Sequence, residues 1–247
     1  MPAHADDLGA PGACPKRLLL FDIDGTLLSG ATRAHRAALH RALADVHEID
    51  ADSVELTLQP AGRTDGEIAR AILLAAGVAQ PQIDARAPEV ATVCCRVYAE
   101  LCETDLSSCV IDGIRDVLER VSAREDARLA LVTGNFEGVA WLKLSRAGIG
   151  GWFATGQGAF ATDTEDRLRM APIARRRAGM RGRPFPRERT LVIGDTPRDI
   201  ACARADQLAC VAVTTGPFGF GELRDADAVT RDAEELYDAL EDWLDAP

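Results

Sequence analysis

Residues 18–27 read Leu-Leu-Leu-Phe-Asp-Ile-Asp-Gly-Thr-Leu, four apolar residues followed by two aspartates one residue apart and a Gly-Thr pair. An uninterrupted apolar run that ends in a turn is typical of a strand buried in the middle of a parallel sheet. Gly25 favours a sharp turn directly after the strand, because glycine tolerates positive φ. Side chains alternate along a strand, so we expect Asp22 and Asp24 to leave the sheet on the same side. Open α/β sheets bind their ligands at this C-terminal edge.

Strand and helix patterns alternate through the second half of the chain. Apolar runs at 129–132 and 190–193 end in polar residues, as the first run does, and a further strand is predicted at 210–213. Apolar positions at helical spacing lie between these runs, and an amphipathic helix closes the chain. Repeated β-α units imply a parallel sheet with right-handed crossovers. The sequence therefore predicts an α/β protein with a Rossmann-like, three-layer core. A short strand is also predicted at 151–154.

The segment between the first two predicted core strands is rich in helical patterns. Helices are expected around 39–46, at 65–76 and at 88–101, with only a weak strand pattern at 54–58. This composition indicates a helical cap domain at 30–106, inserted into a core formed by 16–29 and 107–247. Residues 1–15 have the composition of a disordered tail rather than a secretory signal. His35 and His40 are expected on the solvent face of a cap helix.

Several of these stretches together carry a resemblance to a known family. The hexapeptide that starts at Phe21, Phe-Asp-Ile-Asp-Gly-Thr, resembles the first motif of the haloacid dehalogenase-like phosphatase superfamily. Thr133, at the end of a strand, resembles the second motif. Residues 191–199, Leu-Val-Ile-Gly-Asp-Thr-Pro-Arg-Asp, resemble the fourth. Members commonly have a lysine as the third motif, but no lysine follows Lys143 here, so Arg167 or Arg169 is expected to replace it.

The resemblance implies a role for each acidic residue. Asp22 would be the nucleophile, forming an aspartyl phosphate, and Asp24 would be the general acid and base. Mg²⁺ would be held by the Asp22 carboxylate, the Asp24 backbone carbonyl and Asp195, with Asp199 as a further ligand or support. Dehalogenases and phosphonatases of the superfamily lack an aspartate at the position of Asp24. The aspartate here therefore favours phosphate esters or phosphoryl transfer over cleavage of C–Cl or C–P bonds, and the leading expectation is a phosphoric monoester hydrolase.

Other residues are expected to hold the substrate. The Thr133 hydroxyl and the Gly134 and Asn135 amides would bind phosphoryl oxygens. The segment Gly-Arg-Thr-Asp at 62–65 resembles one that faces the active site in phosphoglycolate-phosphatase-like members, so Arg63 would contact the substrate. Simpler interpretations stay open. Thr133 could be an ordinary turn residue. A helix could be capped by Thr64 or Asp65, and another by the acids at 195 and 199.

Composition excludes several classes of partner. The net charge is −11, so a nucleic-acid partner is not expected. No apolar window is long enough for a membrane span.

Seven cysteines, an odd number without a C-x-x-C pair, fit a reducing cytoplasm. Cys94 shares a helical stripe with Val90 and Val97, which favours a small buried side chain over a metal ligand. The oligomeric state stays open, including a homodimer.

The sequence favours a Mg²⁺-dependent phosphatase that acts on a small phosphorylated metabolite. Two alternatives remain at this stage. The first is a phosphomutase similar to β-phosphoglucomutase, because the same core and cap location serve both reactions. The second is a non-enzymatic sensor of a phosphate ligand. The pair of aspartates at 22 and 24 argues against the sensor.

Overall fold

A five-stranded parallel sheet forms the centre of the protein. The computed structural model describes residues 17–55, 58–180 and 182–246, so the predicted tail at 1–15 lies outside the described residues. The spatial order of the strands is β2-β1-β3-β4-β5. Their bounds are β1 Arg17–Phe21, β2 Ala127–Leu131, β3 Thr190–Gly194, β4 Ala209–Val213 and β5 Ala228–Thr230. The predicted Rossmann-like α/β class is confirmed.

The connections between the strands create one site at the edge of the sheet. From β1 the chain moves to β2 on one side, and β3 then pairs with β1 on the other side. Ligands bind where the strand order reverses in this way, outside the carboxyl ends of the strands. The last residue of β1, Phe21, is in register with Leu131 of β2 and Ile193 of β3. The residues that follow these strands are therefore neighbours.

Helices surround the sheet and also fill the long connection between β1 and β2. The bounds are α1 Arg33–His47, α2 Asp65–Ala75, α3 Gln80–Leu101, α4 Ile114–Ser122, α5 Glu137–Arg146, α6 Met170–Ala178, α7 Pro197–Ala205, α8 Phe220–Leu223 and α9 Ala233–Asp245. Among the described residues, no helix is long and apolar enough to cross a membrane.

Apolar patterning explains where these elements pack. Residues 18–21 of β1 are all fully buried, as expected for a strand covered on both faces. Helix α1 packs on α3, with Leu39 and Leu43 buried on α1 and Cys94 buried on α3. The buried, free thiol of Cys94 agrees with its predicted role as a small apolar side chain. Helices α1 to α3 lie where the cap was predicted, and the division of the chain into 16–29 and 107–247 as core and 30–106 as cap stays a prediction.

Two predicted elements were wrong in detail. Residues 151–154 do not form a strand: Gly150–Trp152 is a 3-10 turn. The helix predicted at 88–101 begins at Gln80 and continues through Pro88. Proline removes one helical hydrogen bond, but buried residues on both sides of it, Ile83 and Val90, keep the helix packed. Part of the weak strand pattern at 54–58 lies outside the described residues, and no strand includes its described part.

A pair of leucine substitutions tests the central position of β1. We expect Leu20→Ala to lower the free energy of unfolding by about 2–5 kcal/mol, because it leaves a cavity inside the sheet. Leu74, on α2, is 50% exposed and provides the matched control. Leu74→Ala should change stability by less than about 0.5 kcal/mol. Urea denaturation of both variants measures the difference, and equal effects would contradict the burial described here.

Candidate active site

Three buried carboxylates converge at the carboxyl edge of the sheet. Asp22 follows β1, Asp195 follows β3, and Asp199 lies in the first turn of α7. One carboxylate oxygen from each lies within 4.8 Å of the others. Each side chain is almost fully buried. The strand register therefore brings together the acids that the sequence analysis singled out.

Asp199 is held by the start of its own helix. Its carboxylate accepts hydrogen bonds from the Thr196 backbone N–H at 3.0 Å and the Thr196 hydroxyl at 2.7 Å. Thr196 in turn caps α7, which completes a capping box. A Cβ at Gly194 would lie 2.3 Å from Asp199 Cγ, so only glycine fits there. Helix capping by Asp199, which the sequence left open as an alternative, therefore occurs within the carboxylate cluster.

Arg167 neutralises part of this negative charge. It lies in the 3-10 turn Arg167–Arg169 and is itself buried. Its Nη2 is 3.2 Å from Asp22 Oδ1, and its Nε donates to Asp199 Oδ1 at 3.1 Å. Burial would lower the pKa of Arg167, but the charges of Asp199 and Asp22 more than offset this and raise it. The structure thus brings Arg167 to the acids, whereas Arg169 is exposed.

Asp195 has little positive charge near it. Its Oδ1 accepts a hydrogen bond of 3.3 Å from the Thr26 hydroxyl. Two glycines approach it closely: a Cβ would lie 2.2 Å from Asp195 Oδ2 at Gly25 and 1.8 Å from it at Gly216. Burial raises the pKa of Asp195 to about 8, with further contributions from the charges of Asp199 and Asp22. Ionised Asp195 therefore needs a cation.

The donor set fits a hard divalent cation. Asp22 and Asp195 offer carboxylate oxygens, the ligands that Mg²⁺ prefers. Burial raises the pKa of Asp22 to about 6 against the lowering effect of Arg167, so this carboxylate also lacks full compensation. The oxygens of Asp199 already accept bonds from Thr196 and Arg167. Asp199 therefore suits a supporting position better than direct coordination.

Asp24 lies outside the cluster of three carboxylates and has hydrogen-bond partners of its own. The Lys143 ammonium lies 2.8 Å from Oδ1 and 2.6 Å from Oδ2. The Asn135 amide donates to Oδ2 at 2.8 Å. Burial alone would raise the pKa of Asp24, but the charge of Lys143 and these hydrogen bonds lower it below its ordinary value. Asp22 and Asp24 thus have opposite pKa shifts, which is typical of acids with different roles.

Sequence reasoning missed Lys143 as a site residue. It lies on α5 and its side chain is 0% exposed. The available signal was its position: Lys143 shares a helical stripe with Val139 and Ala140, which are fully buried. A lone charge on an apolar stripe indicates a buried partner, because an unpaired buried ammonium is strongly destabilising.

The expectation that His35 faces solvent was wrong. His35 is buried, with Nε2 2.9 Å from Asp65 Oδ2 and Nδ1 3.2 Å from Lys143 Nζ. Its ring also makes an edge contact with Tyr98, at a centroid distance of 5.7 Å. The helical stripe of α1 places His35 in line with buried Leu39, a signal that could have located it. His40 is half-buried and lies 2.7 Å from the exposed Asp52.

Of the residues predicted to hold the substrate, Gly134, Asn135 and Arg63 line the site, and Thr133 is buried directly before Gly134. Thr133 is fully buried, and its hydroxyl accepts a 2.9 Å bond from the Asn135 amide. The Gly134 carbonyl accepts the Asp65 N–H at 2.7 Å. A Cβ at Gly134 would lie 2.2 Å from the Arg63 carbonyl oxygen, so this close approach requires glycine. These contacts place 133–135 beside the start of α2.

Arg63 lies at the entrance and is already paired. Its guanidinium contacts Glu67 and donates from Nε to the Gln59 carbonyl at 3.0 Å. Thr64 caps α2 by accepting the Glu67 N–H, as the simpler interpretation of this segment proposed. A cleft of about 690 Å³ connects this entrance to the acids, and Asp22, Asp24, Arg63 and Asp195 line it. Contact between Arg63 and a substrate stays a prediction.

Comparison with known proteins identifies the family. A model of the haloacid dehalogenase-like hydrolase family matches residues 19–204, and a second, HAD-hydrolase-like model matches residues 169–241. The first match covers both Asp22 and Asp199. The chain therefore belongs to the haloacid dehalogenase-like hydrolase family, and the resemblance seen in its sequence is confirmed.

Individual relatives include phosphatases and a phosphomutase. The chain is 28% identical over 227 residues to a phosphoglycolate phosphatase of Pseudomonas putida, covering 92% of this chain and 79% of that protein. A predicted phosphatase from Clostridium acetobutylicum has a TM-score of 0.63 at 16% identity, covering 92% and 99% of the two chains. β-Phosphoglucomutase from Clostridium difficile has a TM-score of 0.57 at 14% identity, covering 93% and 97%. These structural likenesses confirm the fold.

The charge imbalance at Asp195 generates a prediction about stability. Burial raises the pKa of the Asp195 carboxyl to about 8 in the folded protein, whereas the pKa of an unfolded aspartate is about 4. Stability without divalent cations should therefore fall as the pH rises through this interval, because the unfolded chain releases its proton first. We expect Asp195→Asn to flatten this decline in the thermal midpoint, and to remove the stabilisation that added MgCl₂ gives the wild type.

The matched control is Asp242→Asn, at an exposed aspartate of α9. This variant should retain both the pH dependence and the response to MgCl₂. A wild-type midpoint that does not respond to MgCl₂ would contradict the cation site.

Proposed function

We propose that the protein is a divalent-metal-dependent phosphatase that hydrolyses a small phosphorylated metabolite through phosphorylation of Asp22. The observation that carries the proposal is the cluster of three buried carboxylates with Arg167 beside it. Burying several like charges destabilises a protein unless a charged partner or a bound ligand offsets the cost of desolvation and repulsion. Phosphoryl transfer requires this arrangement, in which an anionic nucleophile is set among groups that neutralise an anionic substrate.

Asp22 is the proposed nucleophile. It follows β1 directly, and its backbone N–H donates to the Ile193 carbonyl of β3 at 2.9 Å, which fixes the start of its side chain. The Arg167 guanidinium, 3.2 Å from Asp22 Oδ1, orients the carboxylate and reduces its repulsion of a phosphoryl group. Mg²⁺ held by Asp22, Asp195 and the Asp24 backbone carbonyl, with support from Asp199, would neutralise charge on the phosphoryl oxygens.

Asp24 is the proposed general acid and base. Its carboxylate lines the same cleft as Asp22 and lies on the side nearer to α1 and α5. It would give a proton to the leaving oxygen and later take one from the water that attacks the phosphoenzyme. The lowered pKa of Asp24 suits the second of these steps, in which an ionised carboxylate accepts the proton.

The opposite wall of the cleft would bind the substrate. We assign the phosphoryl oxygens to the Thr133 hydroxyl and to the Gly134 and Asn135 amides, because these groups follow β2 beside Asp22. Arg63 would contact the remainder of the substrate at the entrance. The cleft of about 690 Å³ suits a small metabolite. The similarity to a phosphoglycolate phosphatase supports a phosphoric monoester as the substrate class.

Cysteine chemistry supports a location in the cytoplasm. The six cysteines among the described residues are all free thiols. Free, buried thiols are stable in a reducing compartment.

A phosphomutase and a phosphate sensor are the alternative functions, and kinetics distinguishes them. A mutase would isomerise a sugar phosphate faster than it releases inorganic phosphate. A sensor would bind phosphate without turnover. A panel of phosphorylated metabolites, including phosphoglycolate and sugar phosphates, assayed with MgCl₂ separates the three functions.

Replacing the nucleophile tests the proposal directly. We expect Asp22→Asn to lower the release of p-nitrophenol from p-nitrophenyl phosphate with MgCl₂ by about 1,000-fold or more. Asp242→Asn should retain full activity, because it leaves the cleft unchanged. Undiminished hydrolysis by Asp22→Asn, or a wild type inactive on the whole panel, would refute the proposal.

Arg167 provides a second test that separates charge from shape. Arg167→Met leaves Asp22 and Asp199 without their buried partner, so we expect a loss of about 3–5 kcal/mol in stability together with loss of activity. Arg167→Lys keeps the positive charge but cannot contact Asp22 and Asp199 with a planar guanidinium. This variant should therefore retain part of the stability and part of the activity. Thermal denaturation and the same phosphatase assay measure the pair. Full activity in Arg167→Met would exclude a role for this residue.

A further inference from the structure

We propose that Lys143 is a positioning residue that fixes the carboxylate of Asp24 for acid–base catalysis, and that His35 and Asp65 fix Lys143 in turn. This inference rests on the proposed function, because it assigns Asp24 to proton transfer. It adds three residues from three helices to the machinery of the site. None of the three lies just after a core strand, as Asp22, Thr133 and Asp195 do.

The hydrogen bonds of Lys143 account for all of its protons. An ammonium group has three N–H donors and no acceptor. Lys143 Nζ lies within 2.8 Å of both Asp24 oxygens, 2.7 Å from Asn135 Oδ1 and 3.2 Å from His35 Nδ1. Each donor thus has one partner residue. Because each of its three protons has its own acceptor, the buried ammonium group is held in one orientation.

The third contact also determines the state of His35. Because Lys143 can only donate, His35 Nδ1 must accept, and the ring proton is therefore on Nε2. Nε2 then donates to Asp65 Oδ2 at 2.9 Å. The same oxygen accepts the Phe136 N–H at 2.7 Å. The result is a chain of contacts, Asp65–His35–Lys143–Asp24, in which every donor meets an acceptor.

The contact chain connects elements that are far apart in sequence. Asp65 begins α2, His35 lies on α1 and Lys143 on α5, while Asp24 follows β1. The position of the Asp24 carboxylate consequently depends on how α1 and α2 sit against α5. Asn135, which donates to Asp24 and accepts from Lys143, closes the arrangement on the side of the proposed phosphate wall.

The chemical consequence depends on the leaving group. Departure of an alkoxide requires a proton from Asp24, whereas departure of p-nitrophenolate does not. For a phosphoenzyme mechanism, kcat/KM reports the steps up to the first irreversible one, which include departure of the leaving group. Misplacing Asp24 should therefore lower kcat/KM for an alkyl phosphate much more than for an aryl phosphate.

The experiment compares glycerol 3-phosphate with p-nitrophenyl phosphate, both with MgCl₂. Asp24→Asn sets the reference, and we expect it to lower the alkyl-to-aryl ratio of kcat/KM by about 100-fold. Lys143→Met should lower the ratio in the same direction by at least about 10-fold. Lys143→Arg should recover part of that loss, and His35→Gln should give a smaller decrease.

Arg146→Met is the matched control on the same helix. Arg146 donates to the carbonyls of Cys102 and Ala99, away from the cleft. Its loss should destabilise the protein and lower both rates equally, so the ratio should stay constant. Circular dichroism and thermal melting establish that each variant is folded. If Lys143→Met does not fold, His35→Gln provides the same comparison.

The outcomes separate this inference from the proposed function. An unchanged ratio in the folded Lys143 and His35 variants, with a reduced ratio in Asp24→Asn, overturns the inference alone. The inference is also overturned if Lys143→Met, like Arg146→Met, lowers kcat/KM for both substrates equally and leaves their ratio unchanged, because a purely structural role predicts that result. A wild type without phosphatase activity on these two substrates and on the whole metabolite panel overturns both.

Discussion

The constraint that organises this structure is the burial of like charges at one edge of a parallel sheet. Asp22, Asp24 and Asp195 line one cleft, and the carboxylate of Asp199 lies beside those of Asp22 and Asp195. Two buried cations divide them: Arg167 contacts two of the acids and Lys143 a third. Asp195 is left without a basic partner among the described residues. The protein alone therefore does not neutralise its own site, and the uncompensated negative charge suits a bound cation.

The fold supplies this arrangement through backbone features that tolerate little change. Parallel register places the ends of β1, β2 and β3 side by side, and glycines allow the acids to lie against the backbone. Gly25 and Gly216 approach Asp195, and Gly194 approaches Asp199, at distances where a Cβ would overlap the carboxylate. Thr196, the N-cap of α7, donates its backbone N–H to the Asp199 carboxylate. The charge cluster is thus built on rigid elements, which limits how far its members can move during a reaction.

Most residues that the sequence singled out follow strands, with Asp199 in the first turn of α7, whereas the two site residues that it missed, Lys143 and His35, lie within helices. Asp22, Thr133 and Asp195 come directly after apolar runs, and alternation along a strand determines where such residues point. Lys143 and His35 sit on helices, where a polar residue on a buried stripe becomes informative only if its partner is known. Their partners, Asp24 and Asp65, are distant in sequence. The start of α3 at Gln80 and the 3-10 turn Gly150–Trp152 were also missed, because tertiary packing decides whether proline and glycine interrupt a local pattern.

Trapping the covalent intermediate tests the central claim most directly. The wild type is mixed with p-nitrophenyl phosphate and MgCl₂, quenched within one turnover, reduced with borohydride and digested for mass spectrometry. A phosphorylated aspartate is converted to homoserine by this treatment, so the account predicts homoserine at position 22 only when substrate and MgCl₂ are both present. Phosphate release without any modification of Asp22, or modification at a different residue, would contradict it.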